Sequence, residues 1–334
     1  MTGANGRRLA VLVGAPCAPF RDGIAAAVAT PWEVVAISDD LAGSAGLIGR
    51  ADAAIAIQYG RSWPSAPNIR LIQVPGAGYD GIDVAAIPAG VTLCNVFEHE
   101  PGVSEYAMLA MLEWCHRLAP ADREMRAGIW TRSSRFGGAP DDELAGKTVV
   151  VVGLGRIGRA VARRACAFDM RVLAVNRSAE KTDPNVERVV GLGGLHATLA
   201  EADFVVLACA LTPETRGLID AASLAAMKPG AVIVNVARGP VIDEAALYDA
   251  LLQHRIGGAA IDTWWDYPPS AAPRDPSPAF PFHRLDNVLL SPHVAGWTTG
   301  TLHRRTLEMA RNLDRLARGE PLNNSVIHLL STCT

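Results

Sequence analysis

The sequence predicts an α/β protein built from two parallel-sheet domains, and three observations predict it. Short β-branched runs alternate with Ala-rich segments of helical spacing, the pattern of βαβ units. The alternation stops at a long apolar helix after residue 100 and then restarts. A glycine fingerprint follows the first strand of the restarted half. The 334 residues are enough for about two domains of ordinary size.

The first strand is expected at Leu9–Val13. Arg7 and Arg8 before the apolar run to Gly14 imitate a signal peptide, but the run is short and Pro16 and Pro19 follow, so it reads as a buried strand. A helix over Asp22–Ala29 leads to strands at Glu33–Ile37, Ala53–Ile57, Ile69–Pro75 and Val91–Val96. The helix from Val103 to Leu118 carries Tyr106, Ala107, Leu109, Ala110 and Leu112 on more than one face, which predicts burial between domains or subunits. A polar loop, Arg132–Gly146, precedes the second series of strands. These are Thr148–Val152, Arg171–Val175, Phe204–Cys209, Ala231–Ala237, Gly258–Asp262 and Asn287–Leu290. Gly191–Gly194 lacks a third glycine at the right spacing and reads as a plain loop. Residues 268–282 hold six of the 22 prolines and read as a rigid loop, because a strand follows. The last helix is expected at Thr301–Arg318.

Composition narrows the function classes. A net charge of −3, from 31 basic and 34 acidic residues, argues against a nucleic-acid binder, which needs a basic stripe. An apolar share of 49% and a mean hydropathy of +0.17 exclude a disordered chain. The apolar runs are too short for a membrane-spanning helix. Cysteines at 17, 94, 115, 166, 209 and 333 form no CxxC pair, so they read as reduced thiols of a cytoplasmic protein. No HExxH or other ligand spacing implies a metal.

The fingerprint is Val149-Val150-Val151-Val152-Gly153-Leu154-Gly155-Arg156-Ile157-Gly158. It follows a strand, opens the helix Arg159–Phe168 and precedes another strand, the context of a dinucleotide site. Gly153 suits the tight turn, Gly155 the approach of a pyrophosphate and Gly158 close helix–strand packing. The helix N-terminus adds free N–H groups and its dipole. About 20 residues on, NAD enzymes place an acid for the ribose 2′-hydroxyl. Here Asn176, Arg177 and Ser178 occupy that stretch. Asn does not repel a 2′-phosphate and Arg pairs with one, so NADP is preferred. The alternative is that Arg177 is a solvated loop charge and that Asn176 serves NAD.

Three further segments are Val232–Leu247 around Arg238, Gly257–Trp265 around Asp262, and Ser291–Trp297 around His293. With the fingerprint and the loop Thr212–Ile219, they resemble the D-isomer-specific 2-hydroxyacid dehydrogenases, which include glyoxylate and hydroxypyruvate reductases. The resemblance runs from about Leu71 to Ala310. It implies two Rossmann-like domains: a discontinuous, flavodoxin-like substrate domain (1–100 and 297–334) and an inserted cofactor domain (101–296). The active site would lie in the cleft, and the protein would be a homodimer with the Val103–Leu118 region near the interface. It implies hydride transfer between NADPH or NAD(H) and a small 2-oxo or 2-hydroxy acid.

Roles follow from that chemistry. The substrate carboxylate needs a cationic fork, which Arg238 supplies. The alkoxide oxygen needs a proton donor, and His293 fits, since the unperturbed histidine pKa of about 6.5 allows donation and acceptance near neutrality. Asp262 matches the position that holds the nicotinamide carboxamide, and Ala237 and Gly296 complete the expected cofactor contacts. Ala77 and Gly78 match backbone donors to the substrate carboxylate, and Asn95 matches a position that faces substrate in some members.

One position departs from the family. Most members place Glu five residues after the equivalent of Asp262, where it pairs with the histidine. Here that position is Tyr267, in Asp262-Thr263-Trp264-Trp265-Asp266-Tyr267. Asp266 swinging in, Tyr267 orienting His293 without charge, and a reaction without proton transfer, of the formate type, are the three alternatives. A non-catalytic NAD(P)-sensing protein is a fourth reading. Trp264, Trp265 and Trp297 would wall a pocket for a bulky substrate, or else pack in the core.

Overall fold

The computed structural model describes residues 7–268 and 272–326. Cys333 and Pro269 lie outside them. One compact unit runs up to His99 and resumes at Thr298; the other is Glu100–Trp297.

In chain order the first unit contains β1 (Arg8–Val13), α1 (Arg21–Ala27), β2 (Trp32–Ile37), α2 (Ala45–Ile48), β3 (Ala53–Ile55), β4 (Leu71–Gln73) and β5 (Thr92–Cys94). The second unit opens with α3 (Glu100–His116) and α4 (Leu118–Arg126), then β6 (Thr148–Val152), α5 (Arg156–Ala167), β7 (Arg171–Val175), β8 (Arg188–Val190) and α6 (Leu195–Leu199). It continues with β9 (Phe204–Leu207), α7 (Ala221–Ala226), β10 (Val232–Asn235), α8 (Glu244–Leu252), β11 (Gly258–Ile261) and β12 (Val288–Leu290). The chain returns to the first unit in α9 (Thr299–Arg318).

Both sheets are parallel, so the chain adopts the expected α/β architecture. The first has the order β2-β1-β3-β4-β5, the flavodoxin-like arrangement. The second has the order β12-β11-β10-β9-β6-β7-β8. Read from β8, this is the doubly wound dinucleotide order with one strand added, and its switch point lies between β6 and β9. Helices cover both faces of such a sheet, which is why β6, β9 and β10 read as unbroken apolar runs and are buried throughout.

Several elements end earlier than expected, for local reasons. The strand expected to reach Ala237 stops at Asn235, whose side chain takes the Ala237 N–H at 3.0 Å and donates to the Arg238 carbonyl at 3.1 Å. The helix expected over Val103–Leu118 is α3, ended by Arg117 in the left-handed region at φ +49. Its apolar surface is divided: Val103, Ala107, Met108 and Met111 are buried in the core shared with α5 and β10, while Leu109 is 62% exposed. β8 is not visible in the sequence, being a three-residue edge strand that begins at an exposed Arg188. Gly191–Gly194 forms a single 3-10 turn leading into α6.

α9 packs on α1 and is fastened to it by Asp314, which accepts from the N–H of Ala29 (2.9 Å) and of Thr30 (2.8 Å) and from the Thr30 hydroxyl (2.6 Å). The five cysteines among the described residues are free thiols. No helix among those residues is long and apolar enough to cross a membrane.

Candidate active site

Every expected site residue of the second unit lies at the carboxyl edge of its sheet. Gly153 follows β6, Asn176 follows β7, Arg238 follows β10, Asp262 follows β11 and His293 follows β12. This is the edge where doubly wound sheets bind ligands.

The three glycines of the fingerprint have separate physical reasons. Gly153 has φ +98, and a Cβ there would lie 2.6 Å from the Cys209 backbone just beyond β9. A Cβ on Gly158 would lie 2.0 Å from the Gly153 carbonyl oxygen, so the helix sits tight against the turn. A Cβ on Gly155 would meet nothing within 4 Å. Gly155 also starts α5 with no side-chain cap. Open space in front of uncapped helix amides fits a diphosphate. Ile157 packs into the core beneath, and Arg156 reaches to 3.8 Å from Glu100.

Asn176 is used by the chain itself. Its Oδ1 accepts the Leu154 N–H at 3.1 Å, and its Nδ2 donates to the Ser178 carbonyl at 3.0 Å. It ties the glycine loop to the end of β7 and leaves no carboxylate there. Arg177 and Ser178 are exposed. Arg177 faces the loop after β9: the Glu214 carboxyl is held below its ordinary range chiefly by the Thr212 hydrogen bond, with the Arg177 charge adding to it.

The Arg238 turn is built by Asn235. Arg238 has an extended backbone, and its Nη1 donates to the Ala237 carbonyl at 2.9 Å. Gly239 must be glycine, because a Cβ would lie 2.3 Å from the Trp264 backbone carbon. That contact locks the Arg238 turn to the loop after β11.

His293 has φ +59, a strained value for a non-glycine residue. Asp262 holds the strained loop. It is 1% exposed, and its carboxylate accepts the Ser291 hydroxyl at 2.5 Å, the Val294 N–H at 2.8 Å and the Ala295 N–H at 3.0 Å. Tyr106 of α3 extends the chain with a 2.6 Å hydrogen bond to Ser291. The structure thus turns Asp262 onto the histidine loop. Ser291, Tyr106 and Asn235 had no role in the sequence reading. The parallel register Ile261↔Leu290, which sets Asp262 beside Ser291, is the signal that would have found Ser291.

The Tyr267 hydroxyl lies 2.8 Å from His293 Nδ1 and accepts the Trp264 N–H at 3.2 Å. Asp266 instead pairs with Arg274. Trp264 and Trp265 are core residues rather than pocket walls. Their indole N–H groups donate to the carbonyls of Ser291 (2.9 Å) and Ile242 (2.8 Å), and Trp265 stacks on Phe282 with ring centroids 5.6 Å apart. Gly296 is half-buried and Trp297 is 48% exposed.

In the first unit, Asn95 is joined to Ala77, and Gly78 follows Ala77 in the same half-buried loop. Asn95 is 3% exposed, and its Nδ2 donates to the Ala77 carbonyl at 2.8 Å. Arg305 of α9 donates to the Phe97 carbonyl at 2.9 Å, and its Nη2 lies 3.9 Å from where a Gly76 Cβ would stand.

The sequence pattern of the "D-isomer specific 2-hydroxyacid dehydrogenase, NAD binding domain" matches residues 108–295. A D-3-phosphoglycerate dehydrogenase of Archaeoglobus fulgidus is 35% identical over 269 residues, 78% of this chain and 48% of that protein. The chain therefore spans about half the length of that curated relative. A glyoxylate reductase of Thermococcus gammatolerans is 35% identical over 269 residues, 78% of this chain and 77% of that protein. Among solved structures, a D-isomer specific 2-hydroxyacid dehydrogenase of Xanthobacter autotrophicus Py2, in complex with NADPH and MES, is similar at a TM-score of 0.76. It is 27% identical and covers 95% of this chain and 97% of its own. Matched over more than half its length by the family's pattern, with glycine loop, arginine turn and histidine loop at one sheet edge, the chain belongs to the D-isomer specific 2-hydroxyacid dehydrogenase family.

Proposed function

We propose that the chain interconverts a 2-oxo acid and a 2-hydroxy acid with NADP(H) as hydride carrier. The observation that carries this reading is the convergence of Arg238 and the Tyr267–His293 pair on three adjacent strand ends, at the sheet edge that also carries the glycine loop. When bound, the nicotinamide dinucleotide supplies or accepts the hydride. Gly153, Gly155, Arg156, Ile157 and Gly158 would hold its diphosphate. Arg177 and Ser178 would hold a 2′-phosphate, because the acid that would repel one is replaced by Asn176, whose amide is already spent on Leu154 and Ser178.

The chain's own residues do the rest. The planar guanidinium of Arg238 holds the substrate carboxylate in one orientation. In reduction His293 gives a proton to the oxygen of the former carbonyl; in oxidation it takes that proton back. Asp262 keeps the imidazole in place through the loop amides it binds. The exposed apolar side chains Leu109, Leu118, Met125, Ile129, Trp130 and Phe136 support pairing of two copies.

The test is oxidation of NADPH and of NADH against glyoxylate, hydroxypyruvate, pyruvate and phenylpyruvate. Turnover with NADPH is expected. Tight NADP(H) binding with no turnover on any of the four would replace the enzyme by a dinucleotide sensor.

A further inference from the structure

We propose that Tyr267 positions His293 as a neutral partner: at the position where the family usually sets a carboxylate, this chain orients the acid/base histidine with a group that adds no charge. This rests on the reading of His293 as the acid/base. Three observations carry it. The phenol oxygen and Nδ1 are 2.8 Å apart, while the rings are tilted by 39° with centroids 5.5 Å apart, so the contact is an edge hydrogen bond rather than a stack. The phenol oxygen is itself anchored, because the Trp264 N–H donates to it at 3.2 Å. Trp264 is only 6% exposed and is pinned through its indole to the Ser291 carbonyl, two residues from the histidine. Tyr267 is therefore part of the frame that carries His293.

The charged side chains at the neighbouring strand ends of this unit are already directed. Asp262 binds the loop amides behind the imidazole. Asp266, the nearest acid in sequence, pairs with Arg274. Arg238 follows β10 and donates to the Ala237 carbonyl.

A phenol and a carboxylate act differently there. A carboxylate only accepts, so it stabilises the imidazolium and fixes the neutral tautomer with hydrogen on Nδ1. A phenol accepts from Nδ1–H of the imidazolium but also donates to Nδ1 of the other neutral tautomer. Proton balance is simple: in reduction the imidazolium loses its Nε2 proton to the alkoxide oxygen, keeps hydrogen on Nδ1 and leaves the phenol neutral throughout. The phenol orients the imidazolium and adds no charge of its own. The imidazolium's share, and with it the reduction rate, then declines at a lower pH than a Glu at position 267 would give.

The experiment is an NMR titration of His293 in the whole protein, with its signal assigned by its loss in His293→Asn. It reads protonation and tautomer without needing a substrate, so it stays decisive even if no 2-oxo acid turns over. Tyr267→Glu is expected to move the midpoint to a proton concentration about tenfold lower, and the alkaline limb of any reductase activity with it. Tyr267→Phe is expected to change the Nδ1 nitrogen shift and to lower kcat with KM little changed. Asp266→Asn is expected to leave the midpoint in place. An unmoved midpoint in Tyr267→Glu, an unmoved Nδ1 shift in Tyr267→Phe, or a lowered midpoint in Asp266→Asn would each overturn the proposal. Tyr267 is 45% exposed, so these variants keep the fold, which thermal melting checks.

Discussion

Asp262 shows how much one buried side chain governs the histidine loop. Its carboxylate takes one hydroxyl and two backbone N–H groups from residues 291–295. Hydrogen bonds to a charged group are worth roughly 1.5–3 kcal/mol each, and donors left buried and unmet cost about as much again. Asp262→Ala is therefore expected to lower stability by at least about 4 kcal/mol, read from urea unfolding, and to lower kcat because the strained His293 backbone at φ +59 relaxes. Full stability in that variant would remove Asp262 as the loop's anchor. Arg238→Lys replaces a fork by a point charge, so KM for the 2-oxo acid should rise at least tenfold while the protein stays folded. Asn176→Asp with Arg177→Ala keeps the acceptor for the Leu154 N–H and removes the cation. The ratio of kcat/KM for NADPH to that for NADH should fall; a constant ratio would return the preference to NAD.

The glycine loop and α5 make a prediction at the scale of an element. The two later glycines look alike in the motif but differ in space. A Cβ on Gly158 would collide with the Gly153 carbonyl, while a Cβ on Gly155 would meet open space. Gly158→Ala should lower the melting temperature, because α5 must move off the turn. Gly155→Ala, at an ordinary negative φ of −82, should melt like the parent and lose NADP(H) binding, measured by fluorescence titration. Equal behaviour of the two variants would show that neither glycine is reserved for the ligand. The same element shows what was legible in the sequence. The fingerprint, β6 and β7 follow from local spacing alone, because both flanking strands and the helix lie within 28 residues, from Thr148 to Val175. The partner of His293 was not legible. Asp266 and Tyr267 are adjacent in sequence, and only the folded loop turns one onto Arg274 and the other onto the imidazole. Sequence likewise left open whether Trp264 and Trp265 wall a pocket or pack in the core, until their indole donors were placed on the carbonyls of Ser291 and Ile242.

For the molecule as a whole, each unit carries a depressed carboxylate that joins distant segments. Burial raises the Asp314 pKa, but hydrogen bonds from the Thr30 hydroxyl and from the Ala29 and Thr30 amides outweigh it, and the net shift is downward. Asp203 follows the same balance, with burial opposed by Lys228 and by the Thr148 N–H. A depressed carboxyl contributes its stability in full above the unfolded pKa, about 3.9, and loses it as pH falls through the folded value. The melting temperature should therefore fall from about pH 4 downward. Asp314→Asn should melt lower at neutral pH and show a shallower fall in that window. An unchanged slope would show that the α9–α1 tie contributes nothing to acid sensitivity.

Local pattern was enough for most of the parallel strands and for the glycine loop, because hydrophobic period and turn chemistry act between near neighbours in the chain; the arginine turn and the histidine loop were legible only through the family resemblance. It did not reveal β8, the break at Arg117, or the line from Tyr106 through Ser291 to Asp262. The Tyr106–Ser291 bond joins residues 185 positions apart. Contacts of that kind depend on strand order and register, which bring the ends of β11 and β12 side by side. Sequence spacing places a residue on an element; only the packed sheet decides which side chain stands opposite it.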